Sequence, residues 1–257
     1  MFYPLPWKIY FTRKVNSVKL TALFYILILM APKIKSPEDR EKLRILILDA
    51  ARSLFVERGI EAVSMREIAK KINYSATTLY NHFTDKEALL QAVCDEDFLA
   101  LAGSIQDIMK LPDLIDRLQA LCKGYAFFAL NHPNHYRLMF MTPHAPCNLD
   151  TTKIEQGNPE QDGYAQLKRV VKEVFDARLF KDDITDYELI AQTLWASVHG
   201  VCSLEIALGH DPWINWASLD ARLGLMQRSI LSGLLQHPEQ LKEPSDFSTG
   251  LPIIGDC

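Results

Sequence analysis

The chain lacks the residue constellations that mark common catalytic machinery. There is no GxSxG nucleophile elbow, no HExxH, no P-loop, and no GxGxxG opening a strand–helix unit. Those routes to hydrolysis, metalloprotease chemistry and nucleotide binding are excluded, and no enzyme activity is expected. Cysteine is sparse and scattered. Cys94, Cys122, Cys147, Cys202 and Cys257 are odd in number, and no CxxC occurs. A disulfide framework or a zinc module does not fit, so a reducing cytoplasm is the expected location. No segment alternates apolar and polar residues with a β period, and there is no repeat or low-complexity tract. No cofactor is expected.

Long hydrophobic runs are also missing. The longest candidate, LTALFYILILM (residues 20–30), has 11 residues, against about 20 for a membrane-spanning helix. Lys8, Arg13, Lys14 and Lys19 precede it without any acid, as in a signal peptide, but no small-x-small cleavage site follows. The expectation is that translation starts at Met30 and that residues 1–29 are an upstream extension. A membrane anchor and a signal peptide are the alternatives, and membrane association is not the favoured one.

What is present is a moderately apolar chain with an uneven charge. Apolar residues make up 48% and charged residues 23% of the 257, enough for a real core and too apolar for disorder. Residues 1–35 carry six lysines and arginines and no acid. Residues 36–90 balance nine against nine, and residues 91–257 carry 13 against 23. The net charge of −4 therefore hides a front end suited to an anion.

Helix signals fill the rest. Ser36-Pro37-Glu38-Asp39 starts a helix, with Leu43, Leu46, Ile47, Ala50, Leu54 and Phe55 at helical spacing and Gly59 as its stop. Ser64 and Glu67 form a capping box before a short helix with Ile68, Ala69 and Ile72. Asn73 sits at the turn, where positive φ is needed. Ser75 caps a third short helix carrying Leu79, and Thr84-Asp85-Lys86-Glu87, another capping box with Thr84 as its cap, opens a helix reaching about Met109. Three capped starts this close together describe a helix-turn-helix inside a three-helix bundle. The helix after Ser75 is its recognition helix, with small polar residues where a core would want apolar ones. Further helices are expected over about 112–132, 133–141, 159–180, 184–209 and 217–236, with Pro112 and Pro133 in first turns. Residues 142–158 read as a polar loop and 237–257 as a tail. The fold class is all-α: residues 1–35 as extension and arm, 36–90 as the head, 91–236 as a larger helical body, then the tail.

Ser64, Ile68-Ala69, Asn73, Ser75, Leu79-Tyr80, His82-Phe83, Lys86-Glu87 and Leu89-Leu90 resemble the N-terminal signature of TetR/AcrR-type transcriptional regulators, over about residues 38–92. FALNHPNHYRLMF (128–140) and WASVHG (195–200) resemble a C-terminal domain type marked by Trp-xxx-His-Gly. Asn73 and Tyr74 depart from the usual Gly and Val/Ile. The resemblance implies a DNA-binding transcriptional regulator, a repressor released from a palindromic operator by an unidentified small-molecule effector. It implies base contacts from Arg66, Ala76, Thr77, Thr78 and Tyr80, and phosphate contacts from Ser64, Ser75, Tyr80, Asn81, His82 and Lys86. Lys33 and Lys35 belong to a basic arm.

The body is expected to dimerise through the last two long helices, via Leu194, Val198, Val201, Leu204 and Leu208 with Leu223, Met226 and Ile230. Tyr125, Phe128, Tyr136, Met139, Phe140, Tyr164, Trp195 and His199 are candidates for an apolar pocket wall. His132 and His135 are spaced for a metal but lack a carboxylate cluster, so capping or packing is the better reading and no metal is expected. Two rival readings are a membrane-tethered regulator using residues 1–29 and a helical module whose head binds a protein.

Overall fold

The computed structural model describes residues 36–143 and 152–242. The apolar run at 20–30, Lys33, Lys35 and the tail beyond 242 lie outside the described residues. Nine α-helices occur among the described residues: α1 Pro37–Arg58, α2 Met65–Lys71, α3 Ala76–Tyr80, α4 Lys86–Ile105, α5 Leu114–Asn131, α6 Pro133–Phe140, α7 Gly163–Asp176, α8 Tyr187–Leu208 and α9 Leu219–Leu234. Short 3₁₀ turns follow α4 (Gln106–Lys110) and α9 (Pro238–Gln240). One isolated antiparallel bridge, Phe180 to Leu235, is the sole extended pairing among the described residues.

The chain divides into two compact units, residues 1–43 and 44–257. Of the first, the described part is the start of α1, where Ser36 Oγ accepts from the Asp39 N–H at 3.1 Å. In the second unit Ile47, Ala51, Phe55, Ile68, Leu79, Leu89 and Val93 are buried, and α2 packs on α3. Leu46 stands outside this core, 44% exposed. Gly59 ends α1 with φ +80°, its N–H donating to the Phe55 carbonyl at 2.9 Å.

α8 is the centre of the body, packed against α5, α7 and α9, while α4 packs on α5, α6 and α7. Two apolar clusters fill it. One joins Ile105, Ile115, Leu118 and Leu121 to Val170, Val174, Ile190 and Leu231. The other joins Leu101, Tyr125, Phe128, Tyr136 and Met139 to Val198, Cys202 and Leu223. α4 runs without a break across the expected head–body boundary at 90/91.

Several helix starts differ from the sequence reading. Asp85, not Thr84, caps α4: its carboxylate accepts from the Ala88 N–H at 2.7 Å, and the Thr84 hydroxyl donates to Asp85. A carboxylate answers both the free N–H groups and the helix dipole, so it outcompetes the neighbouring hydroxyl. Pro112 precedes α5 instead of sitting in its first turn, because Asp113 is the cap. α7 begins at Gly163, where Asp162 caps it. Pro133 does occupy the first turn of α6.

Candidate nucleic-acid interface and apolar cavity

The helix-turn-helix is held by its own caps. Ser64 Oγ accepts from the Glu67 N–H at 3.3 Å, and the Ser64 N–H and hydroxyl donate to Glu67 Oε2 at 2.9 and 2.8 Å. Arg58 Nη2 closes the group on Glu67 Oε1 at 2.9 Å. These bonds, the Ser64 hydroxyl first, lower the Glu67 pKa to about 2. Asn73 takes φ +58°, the left-handed conformation the turn requires, and the Tyr74 N–H then reaches back to the Ala69 carbonyl at 2.9 Å. Ser75 Oγ accepts from the Thr78 N–H at 3.1 Å and pairs with Thr78 Oγ1 at 2.9 Å.

This sorts the DNA candidates by what their side chains already do. Arg66, Thr77, Tyr80 and Asn81 are exposed, and their side chains make no hydrogen bond or ion pair among the described residues. Tyr80 is 52% exposed although it is large and aromatic. Ser64, Ser75 and Thr78 have their hydroxyls committed to local caps. Lys86 Nζ donates to the Ile60 carbonyl at 3.0 Å, tying the start of α4 to the loop before α2. Ala76 and His82 are half-buried.

Among the described residues the body encloses an apolar cavity of about 260 Å³. It lies where the two clusters meet, since Leu118 and Leu121 of one and Leu101 and Val198 of the other share its wall. Of the candidates for a pocket wall, Tyr125, Met139, Phe140, Tyr164 and Trp195 line this cavity, and Phe128, Tyr136 and His199 do not. Phe128 and Tyr136 are core residues, 2% and 0% exposed. His199 stands behind the wall, its Nδ1 2.9 Å from Tyr125 Oη and 2.7 Å from Tyr136 Oη. Burial lowers the His199 pKa and raises that of Tyr125 and, more strongly, Tyr136.

The structure separates the expected dimer residues. Leu223 and Val198 are buried within the protomer at 0% and 5% exposure, and so are not free to meet a partner. Leu194, Met226 and Ile230 line the cavity, and Val201 packs against the second cluster. Leu204 and Leu208 are exposed, together with Leu189 and Leu225, which the sequence reading passed over, and Trp213, 93% exposed. Steps of three residues from Val198 to Val201 to Leu204 each fall about 60° short of a turn, so that stripe winds from the inner face of α8 to solvent.

Sequence reasoning also missed two buried acids on α4. Asp95 accepts from Gln91, from the Thr152 hydroxyl at 2.7 Å and from the Lys153 N–H at 3.1 Å. Asp97 holds Arg52 of α1, and His135 Nδ1 of α6 lies 3.0 Å from it. The signal was available as Cys-Asp-Glu-Asp inside an otherwise apolar helix. His132 packs tilted against Phe128 and edge-on to His135, and no group of three or more His, Cys, Asp or Glu among the described residues is placed to hold a metal ion. No helix among them is long and apolar enough to cross a membrane.

Comparison with known proteins follows this division. Residues 47–93 match the model for bacterial regulatory proteins of the tetR family. Residues 118–223 match the tetracyclin repressor-like C-terminal domain. The HTH-type transcriptional regulator UidR of Escherichia coli K12 is 44% identical over 59 residues, covering 23% of this chain and 30% of that protein. The chain thus spans about a third of the length of that curated relative. A Rhodococcus sp. RHA1 protein of unknown function superposes with TM-score 0.62 at 24% identity, over 80% of this chain and 99% of the other. SmeT, the repressor of the Stenotrophomonas maltophilia multidrug efflux pump SmeDEF, superposes with TM-score 0.56 at 19% identity, over 81% and 97%. These two likenesses concern the fold. With a tetR-type head at residues 47–93 and a tetracyclin repressor-like domain behind it, the chain belongs to the TetR family of bacterial regulatory proteins.

Proposed function

We propose that this protein is a cytoplasmic, DNA-binding transcriptional repressor that grips a palindromic operator as a homodimer and lets go when a small apolar effector enters its cavity. One observation carries the reading. A single helix, α4, begins at the head, where Lys86 holds the Ile60 carbonyl, and ends in the cavity wall, where it supplies Phe98, Leu101 and Ile105. An effector that prefers a shifted α4 would change the spacing of two heads, and only such a difference in affinity between states can release DNA.

In this reading α3 enters the major groove. Arg66 forks onto a guanine edge, the Thr77 methyl meets a thymine, and Tyr80 and Asn81 hold phosphates. One head reads too few bases for useful specificity. A two-fold pair doubles the site, with recognition helices about 34–36 Å apart. The exposed Leu189, Leu204, Leu208 and Leu225 of α8 and α9 supply the apolar surface for that pairing. SmeT is named as a repressor, and a dimer clamped over an operator represses by occupying it.

The test is titration of a palindromic duplex recovered by selection from a random pool. The reading expects two protomers per duplex and an affinity that falls steeply as salt rises, because phosphate contacts release counterions. Binding by one protomer, or binding indifferent to salt, contradicts it.

A further inference from the structure

The walls of the cavity narrow the chemistry of its ligand, taking it as the effector site proposed above. About 260 Å³ is available, whereas a dry engineered cavity of about 150 Å³ takes up benzene, so a two-ring molecule fits. No lysine, arginine or histidine lines the cavity. Its one charged lining residue, Asp162, is engaged by backbone donors through both oxygens. Asp162 Oδ1 accepts from the N–H groups of Tyr164 and Ala165 at 2.9 and 3.1 Å, and Oδ2 from that of Gly157 at 3.1 Å. The positive end of α7, which otherwise attracts anions, is therefore already answered by a carboxylate. An anionic ligand would lose its water, find no counter-charge and lie near a negative group.

Among the neutral polar residues of the wall, Gln227 spends its Nε2 on the Gln119 carbonyl at 2.8 Å and also bonds Cys122, whereas Tyr125 and Trp195 stand side by side as a handle. Trp195 Nε1 donates to Tyr125 Oη at 3.3 Å, a long bond. Behind them the Tyr125 and Tyr136 hydroxyls both approach His199 Nδ1, while Tyr136 also lies 3.2 Å from the His199 carbonyl. A neutral imidazole Nδ1 makes one hydrogen bond, as donor or acceptor, so two hydroxyls compete for it. When Tyr136 takes the nitrogen, the Tyr125 proton can turn to Tyr136 Oη or to a ligand. When Tyr136 turns to the carbonyl, Tyr125 donates to Nδ1 and offers the ligand a lone pair. The handle can thus meet either a hydroxyl or a carbonyl.

We propose that the cavity binds an uncharged molecule of about two fused rings whose single neutral oxygen docks on Tyr125 and Trp195, and that it rejects the carboxylate of the same shape.

The test is calorimetric titration of the full chain at pH 7 with naphthalene, 2-naphthol and 2-naphthoate. 2-Naphthol is expected to bind most tightly, and 2-naphthoate at least about tenfold more weakly, since it buries a charge without a partner. Tyr125→Phe is expected to weaken 2-naphthol about five- to tenfold, the loss of one hydrogen bond, and to leave naphthalene nearly unchanged. Retained naphthalene binding shows that the cavity of the variant is intact. Trp195→Phe serves as the second variant, with the same expected pattern. The proposal is overturned if 2-naphthoate matches 2-naphthol, if none of the three binds, or if both variants weaken naphthalene and 2-naphthol equally. The titration involves no DNA. A failure here leaves the operator reading standing, and failed operator binding leaves these affinities standing.

Discussion

Arg52 on α1 and Asp97 on α4 form an ion pair inside the protein. Arg52 Nε lies 2.8 and 3.1 Å from the two Asp97 oxygens, and Nη2 lies 2.7 Å from Oδ1. The Asp97 side chain is wholly buried and Arg52 is 6% exposed. Burial opposes the guanidinium charge, but Asp97 and Asp49 outweigh it and raise the Arg52 pKa. The pair ties α1 to the same helix that reaches the cavity, and His135 of α6 touches the same carboxylate.

Removing Asp97 takes away the buried counter-charge of Arg52 and leaves it only Asp49, whose side chain is largely exposed. Asp97→Ala is therefore expected to destabilise the protein by about 3–5 kcal/mol, read from urea unfolding midpoints. A loss below about 1 kcal/mol, the range of exposed pairs, would contradict this account of the site.

The turn between α2 and α3 depends on Asn73 at φ +58°. Asn73→Ala places a Cβ-bearing residue without a local polar side chain in the left-handed region, at a cost of about 1–2 kcal/mol. Asn73→Gly removes that strain and is expected to be neutral or slightly stabilising. Equal effects from both variants, in the same unfolding assay, would contradict the argument.

Glu67 titrates far below an ordinary carboxylate, at about 2 against a usual 4.5, because the Ser64 hydroxyl and N–H and then Arg58 hold its charged form. A depressed pKa in the folded state gives stability that is complete above the unfolded value and fades as pH falls through the folded one. The capping box should therefore weaken between about pH 4.5 and about pH 2. Carboxyl-carbon NMR should show the Glu67 midpoint near 2; a midpoint near 4.5 would show that the box is open in solution.

Arg66 and Lys86 should behave differently on DNA. On the proposed reading, in which Arg66 contacts a base, Arg66→Ala is expected to cost about 1–3 kcal/mol and relax preference at one operator position. Lys86 is half-buried and bonded to the Ile60 carbonyl. Lys86→Ala should weaken all sequences alike and also lower stability. Competition assays with single-base operator variants separate the two patterns.

Much of this was legible in the sequence, for local reasons. Ser64 with Glu67, Ser75, Asn73 and Gly59 are punctuation whose meaning is set within four residues, and each does what its chemistry requires. Thr84 was misread because a hydroxyl and a carboxylate stood side by side and only the three-dimensional cap shows which one bonds. The faces of α8 and α9 were harder to read. α8 is apolar almost all round, so periodicity alone does not say which side meets α5 and α7 and which meets solvent. Val198 and Leu223 went inward for that reason, while Leu189 and Leu225 escaped notice. The wall of the cavity needed tertiary structure, because Phe98, Leu118 and Trp195 come from three different helices, α4, α5 and α8.

The central claim is sequence-specific DNA binding through α3, and selection from a random duplex pool tests it most directly, using the full chain with Tyr80→Ala in parallel. The account predicts an enriched palindrome with the wild type and none with Tyr80→Ala at equal fold and dimer content. A wild-type chain that is folded and dimeric yet enriches no palindrome, or a Tyr80→Ala chain that enriches the same one equally well, would contradict it.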